Sequence, residues 1–529
     1  MDNSITIVYF DNKSYLHNMY IGCAITALRA VSLPVATLYI DEKNTDASIQ
    51  SIQSKYIIFF LSLGKFATFE KACKFIPNDA VVIMCHYAAT HFGKEIMSNF
   101  PIIDYAVVGE FDITLPCLIQ LLIDGKDSSH CLGLLIRDKN GVSYTGDRPQ
   151  IKSLDTIGFI DRELIPRSSD IYHIFASRGC EGNCTFCDRN ALYINSDSRQ
   201  RFRSIKNVML EIDSLVEKYG CRFITFSDST FCGSENIIKR LDELYFELNQ
   251  RKYWIQFFMN LRAEQVDNDV LDRLHKLQQV GLSRVFIGIE SFNESDLKLY
   301  NKNTSVAINK KVLKLIGDLN CEYKDYVLDF EYGFILFNPY TTMDELDNNL
   351  NILFDSDICL TPNLISSRLV CNCIQPLTKK IHKDGLLVHS LNEIDLSQKT
   401  SFDLKYKFQD KTVEKIYGVI LSCYRFLSIT FQGNIIYLIN RYYHYFGNDA
   451  NLCNLKTKYS EWSRSLSEFC KLLVCKIVEM ERNGISSDAY ALELCKTFKD
   501  EFTLIERSLQ TCKMRVFIQL KKIGEAIYG

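Results

Sequence analysis

The stretch 172-YHIFASRGCEGNCTFCDRN-190 places three cysteines within eight residues, Cys180, Cys184 and Cys187, directly behind a short apolar run. Three thiolates in one loop can bind zinc or an iron–sulfur cluster. Zinc sites commonly add a distant partner pair, and no obvious pair of that kind accompanies this motif. An iron–sulfur cluster held by three cysteines leaves one iron free to bind another molecule. The motif therefore predicts a metal centre with an open position.

The bulk properties are those of a globular protein. The chain has 529 residues, 47% of them hydrophobic and 24% charged, and its formal net charge is -3. That length suits two to four domains of roughly 100–200 residues each. The charge does not favour a nucleic-acid partner, and no apolar run approaches the roughly 18 residues of a membrane span. The N-terminal stretch MDNSITIVYFDNKSY has acidic residues where a signal peptide is basic, so we expect a cytoplasmic protein.

Residues 1–150 alternate strand-like and helix-like segments, which predicts a doubly wound parallel sheet. The helix-like segments include MYIGCAITALRAV and TFEKACKFI. A less ordered stretch is expected from about 126 to 170. The predicted strands are ITIVYF (5–10), VATLYI (35–40), YIIFFLSL (56–63), AVVIMC (80–85) and DYAVVGE (104–110).

The alternation restarts over residues 165–400 and predicts a partial (β/α)6 barrel, with its chemistry at the carboxyl ends of the strands. The cysteine motif directly follows the first of these strands. Beyond about 405 the pattern changes to long amphipathic helices, so residues 405–529 are expected to be all-α. The six predicted barrel strands are 171–177, 223–229, 254–260, 284–290, 327–337 and 363–370.

The C-x3-C-x2-C order, with Phe186 inside the last gap, resembles the signature of the radical S-adenosylmethionine (SAM) superfamily. The resemblance implies that the three cysteines bind a 4Fe–4S cluster whose open iron chelates SAM. One-electron reduction, by a donor such as flavodoxin or ferredoxin, then yields a 5′-deoxyadenosyl radical. A fortuitous cluster or a structural zinc site in a non-catalytic binding protein is the competing hypothesis.

The resemblance also implies cofactor contacts near the ends of the predicted strands. Arg262 is expected to pair with the methionine carboxylate, because a guanidinium matches a carboxylate in geometry and charge. Gly333 would let the backbone approach the adenine closely. The full predicted set is Phe186, Asp228, Arg262, Glu290, Ser291 and Gly333.

The order of domains is similar to the cobalamin-binding branch of this superfamily, and Asp104, Gly109 and Glu110 match that branch's D-x-V-x-G-E stretch. One departure concerns the end of the fourth strand, where that branch usually has a Gly-Gly pair. This chain has Met84 and Cys85 there, and neither side chain leaves room for a corrin. The sequence therefore favours a domain that has kept the fold without the cofactor, with bound cobalamin as the alternative.

A second close pair of cysteines, Cys371 and Cys373, follows the sixth predicted strand. Residues i and i+2 of an extended strand share a face, so both thiols could point into the barrel mouth. A thiol there could return hydrogen to a Cα radical, which resembles the radical epimerases of proteusin-type peptides. Ordinary packing is the alternative role for both residues, and Cys373 is preferred as the donor.

The sequence thus predicts a radical SAM enzyme that epimerises a ribosomally made precursor peptide from L to D. The alternative is a cobalamin-dependent radical SAM C-methyltransferase that uses the same barrel.

Overall fold

The computed structural model describes residues 4–10, 15–41, 52–165, 171–193, 199–322, 326–391, 395–427 and 434–523. By their internal contacts the residues form two compact units. The first comprises 1–219, 225–229 and 370–405, and the second comprises 220–224, 230–369 and 406–529. The predicted boundaries at 150, 165 and 405 stay predictions, since this division does not test them.

The first unit contains a seven-stranded sheet with the order β2-β1-β3-β4-β5-β6-β7. The strands from β2 to β5 are parallel, and all five residues of both β1 and β3 are buried. This confirms the predicted doubly wound α/β architecture. The strands are β1 (Ile5–Tyr9), β2 (Val35–Tyr39), β3 (Tyr56–Phe60), β4 (Val81–Cys85), β5 (Tyr105–Val107), β6 (Leu134–Asp138) and β7 (Gly141–Tyr144).

Helices cover both faces of this sheet because the strands are apolar on both sides. One apolar core lies under α1 and α4, and a second lies under α2 and α3. The helices are α1 (Tyr15–Arg29), α2 (Phe66–Cys73), α3 (Tyr87–Asn99) and α4 (Phe111–Ile123).

The hairpin β6–β7 corrects the expectation of a less ordered stretch from 126. Its strands pair antiparallel and extend the sheet beyond β5. The sequence contains the signal, because 138-DKNG-141 places the turn-forming residues Asp, Asn and Gly between two strand-like runs, and Asp138 and Gly141 pair across the turn. Gly141 has φ of 122°, a conformation that glycine adopts without steric cost.

The segment that follows the hairpin is docked on α1. The Thr26 hydroxyl donates to the carbonyl of Phe159 at 2.6 Å and accepts from the N–H of Asp161 at 3.0 Å. Gly22 lies at this contact, where a Cβ atom would stand 2.6 Å from the carbonyl oxygen of Asp161 and 2.4 Å from Ile160. The close approach therefore depends on a glycine in the middle of the helix.

Five of the six predicted barrel strands are present. In the second unit β12, β13 and β14 are parallel, with register shifts between Phe257 and Phe258 and between Gly288 and Glu290. A small antiparallel pair, β9 with β10, accompanies the cysteine loop. The strands are β8 (Ile171–Ile174), β9 (Ser177–Gly179), β10 (Gln200–Phe202), β11 (Phe223–Phe226), β12 (Gln256–Arg262), β13 (Leu282–Glu290) and β14 (Asp329–Phe334).

The sixth predicted strand, 363–370, is wrong. Residues Pro362–Ile365 form a short helix, α11, and only a single parallel bridge joins Phe337 to Arg368. Thr361 caps this helix by accepting from the N–H of Leu364 at 3.2 Å. Proline at the first turn pre-sets the helical φ, so the local capping chemistry overrides the apolar run.

Helices alternate with these strands along the chain. They are α5 (Ile205–Tyr219), α6 (Ile237–Asn249), α7 (Asn268–Gln279), α8 (Glu294–Leu299), α9 (Val306–Glu322), α10 (Met343–Phe354), α11 (Pro362–Ile365), α12 (Pro376–Lys383) and α13 (Leu396–Lys399).

The C-terminal region is helical, as predicted. Its two longest helices pack against each other through stacked rings such as Phe469 and Phe498, whose centroids are 3.7 Å apart. None of the described helices combines the length and apolarity needed to cross a membrane. The helices are α14 (Lys411–Leu427), α15 (Asn434–Phe446), α16 (Ala450–Arg482) and α17 (Asp488–Lys522).

We expect Gly22→Ala and Gly418→Ala to change stability in opposite directions. Both glycines lie inside helices, but a Cβ atom at Gly418 would meet nothing within 4 Å. Gly418→Ala should stabilise by about 0.5–1 kcal/mol through helix propensity. Gly22→Ala should destabilise by about 1–3 kcal/mol, because the added methyl meets a backbone oxygen. Urea unfolding measures both, and a stabilised Gly22→Ala variant would contradict the docking of this segment on α1.

Candidate functional site

Asp228 holds the residues between β8 and the cysteine loop. The Asp228 carboxylate is 2% exposed and accepts from the backbone N–H groups of Ala176 and Ser177 and from the Ser177 hydroxyl. Three charge-assisted hydrogen bonds hold the backbone three residues before Cys180. Asp228 therefore positions the loop, and its predicted contact with the cofactor stays a prediction.

Glycine is required at the entry to the loop. Gly179 has φ of 79°, and a Cβ atom there would stand 1.9 Å from the carbonyl oxygen of Arg199. The N–H of Cys180 donates to that same oxygen at 3.0 Å. Asn190 closes the loop by donating to the carbonyls of Cys180 and Gly182, each at 3.1 Å.

The loop directs backbone N–H groups at two of the three sulfur atoms. Gly182 N–H donates to Cys180 Sγ at 3.3 Å, and Arg189 N–H donates to Cys187 Sγ at 3.5 Å. Such donors stabilise a thiolate and tune an iron–sulfur cluster. Burial raises the pKa of the Cys187 thiol to about 11, so metal binding must displace its proton.

The donor set fits a 4Fe–4S cluster. All three thiols are half-buried on one loop, and Phe186 lies half-buried between the last two. Within the described part of the chain, no three His, Cys, Asp or Glu side chains are gathered as a single metal ion would require. That finding concerns mononuclear sites, because a cubane binds each cysteine at a different iron.

The second cysteine pair is tied to this loop. The amide of Asn372, which is 1% exposed, donates to Asp188 at 3.0 Å, and the N–H of Leu377 donates to the carbonyl of Thr185 at 2.9 Å. Neighbouring Cys371 is fully buried. The structure thus brings the Cys371–Cys373 segment beside the cluster loop, which sequence spacing alone did not predict.

Of the two thiols, Cys373 is the more accessible. It is half-buried, and burial raises its pKa to about 11, while Lys399 lowers and Glu95 raises the value. Lys399 and Glu95 form an ion pair at 2.7 Å. A thiol with this pKa stays protonated at neutral pH, so it retains the hydrogen that a radical could remove.

A buried ion network lies just upstream of the cluster cysteines. Arg178 donates to both carboxylate oxygens of Asp112, at 2.7 and 2.8 Å, and to Glu110 at 3.0 Å. Arg201 of β10 bonds Glu110 from its other side at 3.0 and 3.1 Å. Burial alone would raise the pKa of the Asp112 carboxyl. The positive charge and hydrogen bonds of Arg178 oppose this effect, and the net result is a pKa below the usual value.

Sequence reasoning missed this network. Glu110 was noted only as part of a motif, and acidic residues at the start of α4 also suit the helix dipole. Which arginine would reach them depends on the tertiary fold, so no local pattern indicated Arg178.

The carboxyl edge of the N-terminal sheet faces the same loop. The Nε2 atom of His91 lies 2.9 Å from the carbonyl oxygen of Ala191. The ring centroids of Tyr20 and Phe175 are 5.2 Å apart. Ligands of doubly wound sheets bind outside the carboxyl ends of the strands. The edge where such a cofactor would bind therefore adjoins the cluster loop.

Side chains fill that edge. Met84 and Cys85 are fully buried, each in the core on one face of the sheet. His86, 2% exposed, packs between Phe60 and Tyr20 with ring centroids 4.9 and 5.0 Å away. In these positions the side chains leave no room for a corrin. A corrin would enter only after the rings of Tyr20, Phe60 and His86 had moved.

In the second unit the charged residues predicted to contact the cofactor pair with neighbouring side chains. Arg262 pairs with Glu264 through Nε at 2.6 Å. Glu290 has a left-handed φ of 67° and an ion pair with Lys302 at 2.9 Å. Such backbone strain in a non-glycine residue is typical of functional sites.

The other two predicted residues in this unit have clear packing roles. The hydroxyl of Ser291, fully buried, donates to Asp296 at 2.7 Å. A Cβ atom at Gly333 would meet the ring of Phe286 at 2.7 Å, so that ring accounts for the glycine. Contacts of Arg262, Glu290, Ser291 and Gly333 with SAM stay predictions.

Comparison with known proteins identifies the central region. Residues 174–347 match the Radical SAM superfamily, so the chain contains a radical SAM domain. Such a domain implies a 4Fe–4S cluster and SAM as cofactors.

The curated relatives include an uncharacterized methyltransferase, PH0819, of Pyrococcus horikoshii and an anaerobic magnesium-protoporphyrin IX monomethyl ester cyclase of Synechocystis. The first is 25% identical over 55% of this chain and 61% of its own length. The second is 26% identical over 48% of this chain and 51% of its own length. The match therefore spans less than two thirds of each relative.

Two solved structures share the fold. The cobalamin-dependent SAM radical enzyme OxsB, with aqua-cobalamin and SAM bound, has a TM-score of 0.68 over 97% of this chain and 83% of its own, at 16% identity. The radical SAM methyltransferase TsrM from Kitasatospora setae has a TM-score of 0.60 over 92% and 100%, at 13% identity. The predicted closeness to proteusin epimerases gains no support here.

We expect Asp112→Asn to weaken both the fold and the cluster loop. The change removes the carboxylate charge that Arg178 pairs with, which should cost roughly 3 kcal/mol of unfolding free energy. Because Arg178 lies two residues before Cys180, reconstituted iron content should fall and the EPR line shape of the reduced cluster should change. Asp127→Asn, at an exposed acid of the same domain, is the matched control. An Asp112→Asn protein with unaltered stability and EPR spectrum would refute the positioning role.

Proposed function

We propose that this chain is a radical SAM enzyme that transfers a methyl group to a carbon of its substrate. The methyltransferases among its relatives and the fold shared with TsrM support this reaction over epimerisation. The observation that carries the proposal is the contact of the sheet edge with the residues that flank the cluster loop, through His91 and Ala191 and through Tyr20 and Phe175.

The transfer would consume two SAM molecules and two electrons from the reductant. One SAM yields the adenosyl radical that removes a hydrogen atom from the substrate carbon, and the second supplies the methyl group and leaves as S-adenosylhomocysteine. The adjoining sheet edge is the place for the methyl-supplying group once the rings around His86 have moved.

The chain's own residues then have defined tasks. When bound, the cluster and SAM together supply the 5′-deoxyadenosyl radical. Asp228 and Gly179 hold the loop, Asn190 closes it, and Arg178 anchors its first strand to the N-terminal domain. Because Tyr20, Phe60 and His86 fill the sheet edge, no step is assigned to cobalamin.

Epimerisation of a peptide is the second candidate, and one observation favours it. The bond from Asn372 to Asp188 holds Cys373, a protonated and partly accessible thiol, beside the cluster loop. In this reaction the adenosyl radical removes the Cα hydrogen and becomes 5′-deoxyadenosine. Cys373 returns a hydrogen atom to the other face, and the resulting thiyl radical takes an electron from a flavodoxin- or ferredoxin-type reductant and a proton from water.

A single incubation distinguishes the two reactions. The reduced enzyme is given trideuteromethyl-SAM in heavy water, with and without hydroxocobalamin, and a peptide encoded beside its gene. Methyl transfer predicts a product heavier by one trideuteromethyl group, unaffected by Cys373→Ala. Epimerisation predicts a single solvent deuterium at Cα that is lost in Cys373→Ala.

Cys453→Ala, at an exposed thiol far along the chain, is the control for nonspecific effects of losing a cysteine. Solvent deuterium without labelled methyl would overturn the leading proposal. Formation of 5′-deoxyadenosine with neither product would reject the tested peptide as substrate for both reactions.

A further inference from the structure

The second unit contains a cavity of about 690 Å³ along the outer edge of β14. It is lined by β14 itself, by residues 357–367 and by the middle of α16. Neither the cluster loop nor the predicted SAM contacts Arg262 and Glu290 line it.

The backbone of β14 gives this cavity a hydrogen-bonding wall. β14 pairs with β13 along one edge, and no other described strand pairs with its second edge. The position of a sixth strand is instead occupied by α11 and the isolated bridge at Phe337. Alternate N–H and C=O groups of an edge strand point outward and form a template for another extended chain.

The charges of the lining favour a cationic occupant. Asp329, Glu331 and Asp357 contribute three carboxylates, and Lys456 is the lysine among the lining residues. Arg284 of β13 pairs with Asp329 at 2.7 Å and with Glu331 at 3.7 Å. Asp357 is the lining carboxylate that lies outside these ion pairs. Burial raises the pKa of the Glu331 carboxyl despite Arg284, so a positive charge in the cavity would stabilise its ionised form.

Aromatic side chains form the wall opposite the strand. Tyr459 and Trp462 of α16 stack with centroids 6.0 Å apart and both line the cavity. Trp462 is 1% exposed, and its indole N–H has no hydrogen-bond acceptor among the described residues. Aromatic rings bury the apolar side chains and lysine stems of an extended peptide well.

We propose that this edge binds an extended, basic polypeptide segment as an added β-strand. Main-chain hydrogen bonds to β14 provide the affinity, and the carboxylates select lysine or arginine at alternate positions. The inference does not rest on the proposed function, because binding itself requires neither SAM nor reductant.

Binding to the full-length protein tests the proposal without turnover. The probe is an acetylated, fluorescein-labelled hexapeptide of alternating lysine and valine, matched in length to the six residues of β14. Two control peptides replace lysine by glutamate, or the two central residues by proline, which lacks the N–H that an added strand needs. Fluorescence anisotropy measures affinity, and hydrogen–deuterium exchange locates the bound segment.

We expect the basic peptide to bind and to slow amide exchange in 329–334, and both control peptides to bind more weakly. Asp357→Lys should weaken binding about fivefold to tenfold by reversing one charge of the lining. Asp355→Lys, an exposed neighbour outside the lining, should leave binding unchanged.

Equal affinity for the proline peptide, or protection confined to other segments, would overturn strand addition. An equal loss of affinity for the basic peptide in Asp357→Lys and Asp355→Lys would overturn the proposed selection by charge. Because neither assay involves methyl transfer, a failure here leaves the proposed reaction intact, and a failed reaction leaves peptide binding measurable.

Discussion

The arrangement of the first unit depends on one buried guanidinium. Arg178 meets Asp112 and Glu110 at the start of α4 while its own strand runs into the cysteine loop two residues later. Removing such charges from water is costly, and only close, bidentate geometry offsets the cost. The network therefore allows one relative placement of the N-terminal sheet and the loop. Asp228 and Gly179 then fix the first turn of the loop itself.

The sequence predicted the parts of this structure that local patterns determine. The five parallel strands, the cysteine motif and the C-terminal helices follow from apolar periodicity and spacing. The hairpin β6–β7 also has a local signal, the turn residues at 138–141. The prediction of a sixth strand at 363–370 is wrong because the cap at Thr361 and the ring of Pro362 favour a helix there.

The contacts that define the site could not be predicted in the same way. The bond from Asn372 to Asp188 joins residues 184 positions apart, and the network around Arg178 joins residues 66 and 68 positions apart. Such partners are set by tertiary packing. Ser291 and Gly333, which the sequence predicts as cofactor contacts, have packing roles in the structure. Their neighbours, Asp296 and Phe286 respectively, cannot be predicted from the spacing of a motif.

Two features of this chain bear on its reaction. Side chains fill the edge of the N-terminal sheet around His86, and the bond from Asn372 to Asp188 holds the Cys373 thiol beside the cluster loop. OxsB and TsrM share the fold of this chain, but here the rings around His86 leave no cradle for a corrin. Both candidate reactions nevertheless need one iron of the cluster to remain open for SAM. Mössbauer spectroscopy of anaerobic protein reconstituted with iron-57 tests this most directly. The account predicts a cubane in which one iron site changes its spectrum when SAM is added. A mononuclear metal, or a cubane indifferent to SAM, would contradict it.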